Sequence, residues 1–252
     1  MLTTPTLSSS TIARLRAIAV PSTSYRTVPF GVEGLDARLV GRGLRAGALH
    51  EVAARSCSLM DDAAATLFLA GIAAREAAGT GAPVLWTSCR CDLYAPGLAQ
   101  AGLRSADVIH AQPRDDQQLL AVVEDAIRDG TPAVIAEASR VSMVATRRLQ
   151  LVAAEADIPV LLMRRRRSRD ADPLGEPSAA WTRWRIGVAP SERLPVAGVG
   201  RARWSVELAR QRGGEAFSLV LEACDETGRL AVPAAPRRRT AEAVGTARGA
   251  AA

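Results

Sequence analysis

Between residues 48 and 164 the chain alternates short apolar runs with longer stretches of helical period. The runs ALHEVAA, APVLWTSC, DVIHAQ, PAVIAEAS and IPVLLMRR read as strands. Each is nearly continuous in its apolar character, as expected of strands buried on both faces. The intervening segments DDAAATLFLAGIAAREAAG, LYAPGLAQAGL, DDQQLLAVVEDAIRDG and SMVATRRLQLVAAEAD read as helices. Asp61 and Asp62 suit the positive N-terminal end of the first. Pro96 is expected to interrupt the second, and Gly130 to close the third. Five strands alternating with helices predict an α/β fold with a mostly parallel sheet covered on both sides.

After Arg164 the pattern changes. Residues 166–180, rich in arginine and proline, read as a loop. The segments WTRWRIGV, RARWSVELARQ and EAFSLVLEA then alternate with period two. Gly213-Gly214 joins the last two as a hairpin. Residues 181–233 are therefore expected to form an antiparallel β extension along the edge of the same sheet, with CDETGRLAVP adding a turn and a short strand. At the other end, residues 1–24 predict an arm with one short amphipathic helix, its face formed by Ile12, Leu15, Ile18 and Ala19. Residues 25–165 form the core, entered through a glycine-punctuated segment around a short LDARL helix. The tail, 234–252, is expected to be disordered.

Composition sharpens this. All 32 basic side chains are arginine, and the chain has no lysine. Lysine-dependent chemistry, whether a Schiff base or a lysine phosphate clamp, is excluded. The net charge of +6 is uneven: residues 164–212 carry a surplus of +7 and the remainder −1. The apolar runs fall short of the ~20 residues that span a bilayer. No basic stretch precedes the N-terminal apolar residues, so neither a membrane span nor a secretory signal is expected and a cytoplasmic location follows. Cys57, Cys89, Cys91 and Cys224 lack C-x-x-C spacing and read as reduced thiols. Zinc held by Cys89 and Cys91 with a distant third ligand is the weaker alternative. His50, within a strand, and His110, at a strand end, read as structural.

The N-terminal half resembles RecA-type proteins. The carriers are FGVEGLDARLVGRGLRAGALHEV, YAPGLAQAGL, HAQPRDDQQLLAVVEDAIRDG and AVIAEAS, in that superfamily's order and spacing. Within it, the whole string of segments is similar to the ImuA family, as is the hairpin region RARWSVELARQRGGEAFSLVLEACDETGRLAVP. The resemblance spans residues 25–235. It implies a RecA-like core and a role as an accessory factor in damage-induced (SOS) mutagenic translesion DNA synthesis. The implied partners are an ImuB-type Y-family-like protein lacking polymerase activity and an error-prone C-family polymerase. DNA, RecA and a second copy of the chain are further candidates.

At the phosphate-loop position of such a core this chain has RSCSLMD. A working loop, G-x-x-x-x-G-K-[ST], needs glycines so that backbone amides can wrap phosphate, and a lysine against the β and γ charges. Arg55, Ser56, Cys57 and Ser58 supply neither. Asp61 and Asp62 sit where an anion would bind and are expected to repel it. After the second core strand, Ser88, Cys89 and Arg90 stand where the family activates water, with Asp92 further along. Glu137 takes the Walker-B-like position, where a solvated or capping carboxylate is the plainer reading than a Mg²⁺ ligand. The site thus reads as a decayed nucleotide pocket with no cofactor, no metal and no catalytic residue. Function passes to the arginine-rich surface: Arg164, Arg165, Arg166 and Arg167 beyond a core strand, Arg183 and Arg185 beside Trp184, and Arg201 and Arg203 beside Trp204. These arginines could meet DNA phosphate or a partner, with Trp181 stacking on a base. Two other classes stay open: a SulA-like cell-division inhibitor, and a RecA-type ATPase in which Arg55 substitutes for the missing lysine.

Overall fold

The computed structural model describes residues 25–166, 168–191, 198 and 200–233. The expected arm (1–24), tail (234–252) and Arg167 lie outside the described residues. A short pair, β1 (Thr27–Val28) with β2 (Leu44–Arg45), brackets a one-turn helix α1 (Glu33–Asp36). The LDARL helix therefore forms slightly earlier than expected. Asp36 explains the shift: its carboxylate accepts the backbone N–H groups of Phe30 and Gly31 at 2.8 and 2.9 Å and fixes the turn.

The main sheet uses β3 (Leu49–Ala54), β4 (Val84–Ser88), β5 (Val108–Ala111), β6 (Val134–Ala138), β7 (Val160–Arg164), β8 (Thr182–Ala189), β9 (Arg203–Gln211) and β10 (Phe217–Glu222). Their order is β10-β9-β8-β3-β7-β6-β4-β5. From β8 to β5 all neighbours run parallel, and β8-β9-β10 run antiparallel. The expectation of a wholly antiparallel extension is corrected at its first strand. WTRWRIGV pairs in parallel with β3, His50 opposite Thr182 and Ala54 opposite Ile186. A period-two pattern reports a one-sided environment and is silent about strand direction. The hairpin at Gly213 (φ 80°) forms as expected. CDETGRLAVP gives the turn but only a single bridge, Glu222 to Ala231.

Four helices make the crossovers: α2 (Leu59–Thr80), α3 (Ala95–Gln100), α4 (Asp116–Arg128) and α5 (Met143–Ala156). Pro96 lies in the first turn of α3. It begins that helix, where its missing N–H costs nothing, and does not interrupt it. Ser58, Asp115 and Ser142 cap α2, α4 and α5 by accepting backbone N–H groups. One face of the sheet packs with α2 around Phe30, Phe68, Trp86, Trp184 and Trp204. The other packs with α4 and α5 around Leu49, Leu119, Leu149 and Leu162. Gly71 of α2 lets the turn through residues 225–228 come close. A Cβ there would meet Cys224 Sγ at 2.3 Å and the Gly228 carbonyl at 3.1 Å. Among the described residues no helix is long and apolar enough to cross a membrane.

Candidate functional site

In parallel α/β sheets ligands bind beyond the carboxyl ends of the strands. In this sheet that edge carries the loop between β3 and α2, the ends of β6 and β7, and a cleft of about 480 Å³. The loop is held by its own side chains. Ser58 N–H donates to Ser56 Oγ (3.1 Å), and Ser56 Oγ donates to Asp61 Oδ2 (2.6 Å). Val188 N–H, from β8, donates to Asp61 Oδ1 (2.8 Å). Asp61 is consequently buried and turned inward. Asp61 thus turns away from the anion position, whereas Asp62 lines the cleft, half-buried and paired with Arg165. Arg165, just past β7, donates from Nη1 to Asp62 and from Nε and Nη2 to Glu137 Oε2, the latter at 2.8 and 2.5 Å. Trp86 Nε1 donates to the other oxygen, Glu137 Oε1, at 2.6 Å. Glu137 is thus a buried, doubly committed carboxylate and not the solvated group expected. Burial disfavours the charged Arg165, but Glu137 and Asp62 outweigh it and raise its pKa.

Two further arginines of the rich segment, Arg164 and Arg183, are also buried. Glu51, wholly buried in β3, accepts Arg164 Nη1 at 3.0 Å and Arg183 Nε at 2.6 Å. Arg185 pairs with Asp172 and Glu207. Arg201 donates to the Ala223 and Arg229 carbonyls. Arg203 lies half-buried on β9, in register with Glu222. Trp204 is 2% exposed, in the core with Trp184. Trp181 is half-buried between the Arg45 and Arg212 guanidiniums, 4.6 and 5.2 Å from its ring centroid, with Tyr25 edge-on. Of the arginines expected at the surface, Arg164, Arg165 and Arg183 are buried, each against a carboxylate, as buried charges require; Arg185, Arg201 and Arg203 remain half-buried. The cleft itself retains Arg90, Arg166 and Arg169 in its lining. Arg90 pairs with Asp92 at 2.6 Å, Arg166 donates to the Ala171, Ala54 and Arg55 carbonyls, and Arg169 is exposed.

No protein-family model matches the chain. Protein ImuA of Caulobacter vibrioides, in strains NA1000/CB15N and ATCC 19089/CB 15, is 36% identical over 200 residues. The match covers 77% of this chain and 82% of the relative. The chain belongs to the ImuA family. The crystal structure of the RadB recombinase matches with a TM-score of 0.55, covering 82% of this chain and 100% of that one, at 16% identity. At that identity the likeness establishes the fold alone, which is RecA-like.

A RecA-like fold implies a nucleotide and its metal, and this ImuA-family chain does not fit them. Residues 55–58 contain no glycine and no lysine. Ser56, Ser58 and Asp61 already bind one another, and the Arg165 guanidinium occupies the space between Asp62 and Glu137 that a cation would need. Arg55, exposed, donates from Nη1 to Ser205 Oγ (2.6 Å) on β9. His50 is fully buried between Thr182 Oγ1 and the Arg45 carbonyl, and burial pushes its pKa down to about 4. His110 is exposed on β5. Burial and Asp116 raise the Cys89 thiol, while Cys57 and Cys91 are exposed. Among the described residues no three His, Cys, Asp or Glu side chains are grouped to hold a metal. Nothing in the sequence pairs Arg165 with Glu137 and Asp62; the β6–β7 register, Glu137 opposite Met163 and Ala138 opposite Arg164, brings Arg165 beside Glu137.

Proposed function

We propose that this chain is a non-catalytic RecA-like accessory factor in mutagenic translesion DNA synthesis. It acts in the cytoplasm by holding partners together: an ImuB-type pseudo-polymerase and an error-prone C-family polymerase. Membership in the ImuA family supports the pathway. The observation that carries the non-catalytic reading is the Arg165 guanidinium bridging Asp62 and Glu137, an internal cation where a nucleotide's metal would lie. DNA contact, in this reading, passes through the cleft arginines that keep exposure, Arg169 and Arg90, and not through the arginines buried against Glu51 and Glu137.

Calorimetry of the purified chain with ATP and Mg²⁺ is expected to show no binding heat, and a phosphate-release assay no turnover. Saturable binding would sink the non-catalytic reading. Co-purification with each polymerase partner tests the scaffold, and failure to retain either would remove it. Filamentation of cells overexpressing the chain, at unchanged mutation frequency, would favour the cell-division reading instead.

A further inference from the structure

The amino ends of the parallel strands carry a patch of arginine and aromatic side chains. Strand β3 is six residues long, so this edge lies roughly 20 Å from the β3–α2 loop and the cleft of Arg165. Trp181, just ahead of β8, is pinned by its backbone. Its N–H donates to the Leu49 carbonyl at 2.7 Å, and its carbonyl accepts the Arg212 N–H at 2.9 Å. Arg45, on β2, is fixed where its carbonyl accepts His50 Nε2–H at 2.8 Å. The Arg45 guanidinium lies over both the Tyr25 and Trp181 rings, 4.7 and 4.6 Å from their centroids. The Arg212 guanidinium lies over Trp181 at 5.2 Å.

Arg210 joins them, donating from Nη2 to the Ser178 and Ala180 carbonyls at 3.3 and 2.8 Å. Among the described residues, none of these three guanidiniums pairs with a carboxylate. Glu51, whose charge reaches Arg210, is committed to Arg164 and Arg183. Asp157, beside Gly47, pairs with Arg26. The exposed Glu215 of the hairpin turn pairs with none of the three. Burial lowers the Arg210 pKa, and the like charges of Arg183 and Arg212 lower it further. The patch is open to solvent: Arg210 and Arg212 are exposed, and Arg45 is half-buried with only its Nε enclosed and unpartnered.

We propose that this patch docks an acidic segment of a partner protein, with carboxylates on Arg45, Arg210 and Arg212 and an apolar floor of Trp181 and Tyr25. Charge selects an anionic occupant, since three uncompensated guanidiniums outweigh the single Glu215. The aromatic rings decide for protein over single-stranded nucleic acid. Two guanidiniums and Tyr25 already cover Trp181, so no base can stack on it, and stacking is what such strands need. Arginine, tryptophan and tyrosine held together and half-buried are the side chains that dominate binding energy at protein interfaces. The chain's own ends do not supply the segment: residues 1–24 contain no acidic residue, and 234–252 only Glu242 against four arginines. The proposal rests on the scaffold reading and names a surface for it. The two fail separately, because a polymerase can co-purify through another surface while this patch binds nothing.

The test titrates a fluorescent peptide of alternating glutamate and leucine into the full chain, with oligo-dT in parallel. The peptide is expected to bind saturably and to move the Trp181 Nε1–H resonance. Arg212→Ala, at an exposed position that leaves the fold intact, should weaken the peptide by about tenfold, as loss of an interface anchor does. Arg147→Ala, exposed on α5, should leave it unchanged. Arg212→Glu should weaken it further and gain affinity for the same peptide with lysine in place of glutamate. No peptide binding, an unmoved Trp181 resonance, or equal losses in Arg212→Ala and Arg147→Ala overturns the proposal. Oligo-dT binding that falls with Arg212→Ala overturns it in favour of nucleic acid. A wild-type dimer that Arg212→Ala dissociates in analytical ultracentrifugation overturns it in favour of a second copy of the chain.

Discussion

Arg165 shows how one side chain closes a pocket. Its removal leaves Glu137, 4% exposed, as a buried carboxylate with only the Trp86 N–H for company. Arg165→Ala is expected to destabilise the fold by about 3–5 kcal/mol, the range for breaking one partner of a buried pair. Replacing both by apolar residues, Arg165→Met with Glu137→Leu, should recover most of that loss in urea unfolding. Equal losses in the single and double variants would refute the pairing. His50 gives a pH signature. Its pKa is 6.5 when unfolded and about 4 when folded, so the unfolded chain binds more protons between those values. Stability contributed at this residue is full above pH 6.5. It falls as pH drops towards 4, by up to ~1.4 kcal/mol per unit. The difference in unfolding free energy between wild type and His50→Asn should therefore shrink over that window. A constant difference would contradict a neutral, buried His50.

At the level of elements, the parallel α/β alternation was legible because apolar runs of strand length alternate with segments of helical period. The caps Ser58, Asp115 and Ser142 were seen only in the structure. What was not legible was long-range. The direction of β8 depends on which strand it meets, and alternation looks the same either way. Arg164, Arg165 and Arg183 looked external because their acidic partners, Glu51 and Glu137, come from distant strands. A clue existed in ALHEVAA: a glutamate in the middle of a central buried strand demands a cation. Helix α2 offers a test in which two rules disagree. By intrinsic propensity Gly71→Ala would stabilise a helix by ~1 kcal/mol. The close approach of Cys224 and Gly228 predicts the reverse, a loss of about 1–3 kcal/mol from overpacking. A raised Tm would show that the 225–228 turn yields freely.

Across the whole molecule, the surplus of positive charge in 164–212 does not translate into a positive surface of the same size. Arg164, Arg165 and Arg183 neutralise carboxylates buried within the fold. DNA affinity through Arg90 and Arg169 is therefore expected to be modest. For single-stranded DNA each phosphate contact contributes ~0.7 to the slope of log affinity against log salt. Arg169→Ala should lower the slope's magnitude by about that amount, and Arg183→Ala should leave it unchanged. A steep slope that falls with Arg183→Ala would restore the arginine-rich strands as the contact surface. Arg165 has a further consequence at this scale. A tethered guanidinium neither diffuses away nor is consumed, so under the proposed non-catalytic reading the strand ends it clasps would keep one arrangement whatever the cell's adenylate supply. The tempo of such a factor would be set by synthesis, degradation and encounter with its partners, with no molecular clock of its own.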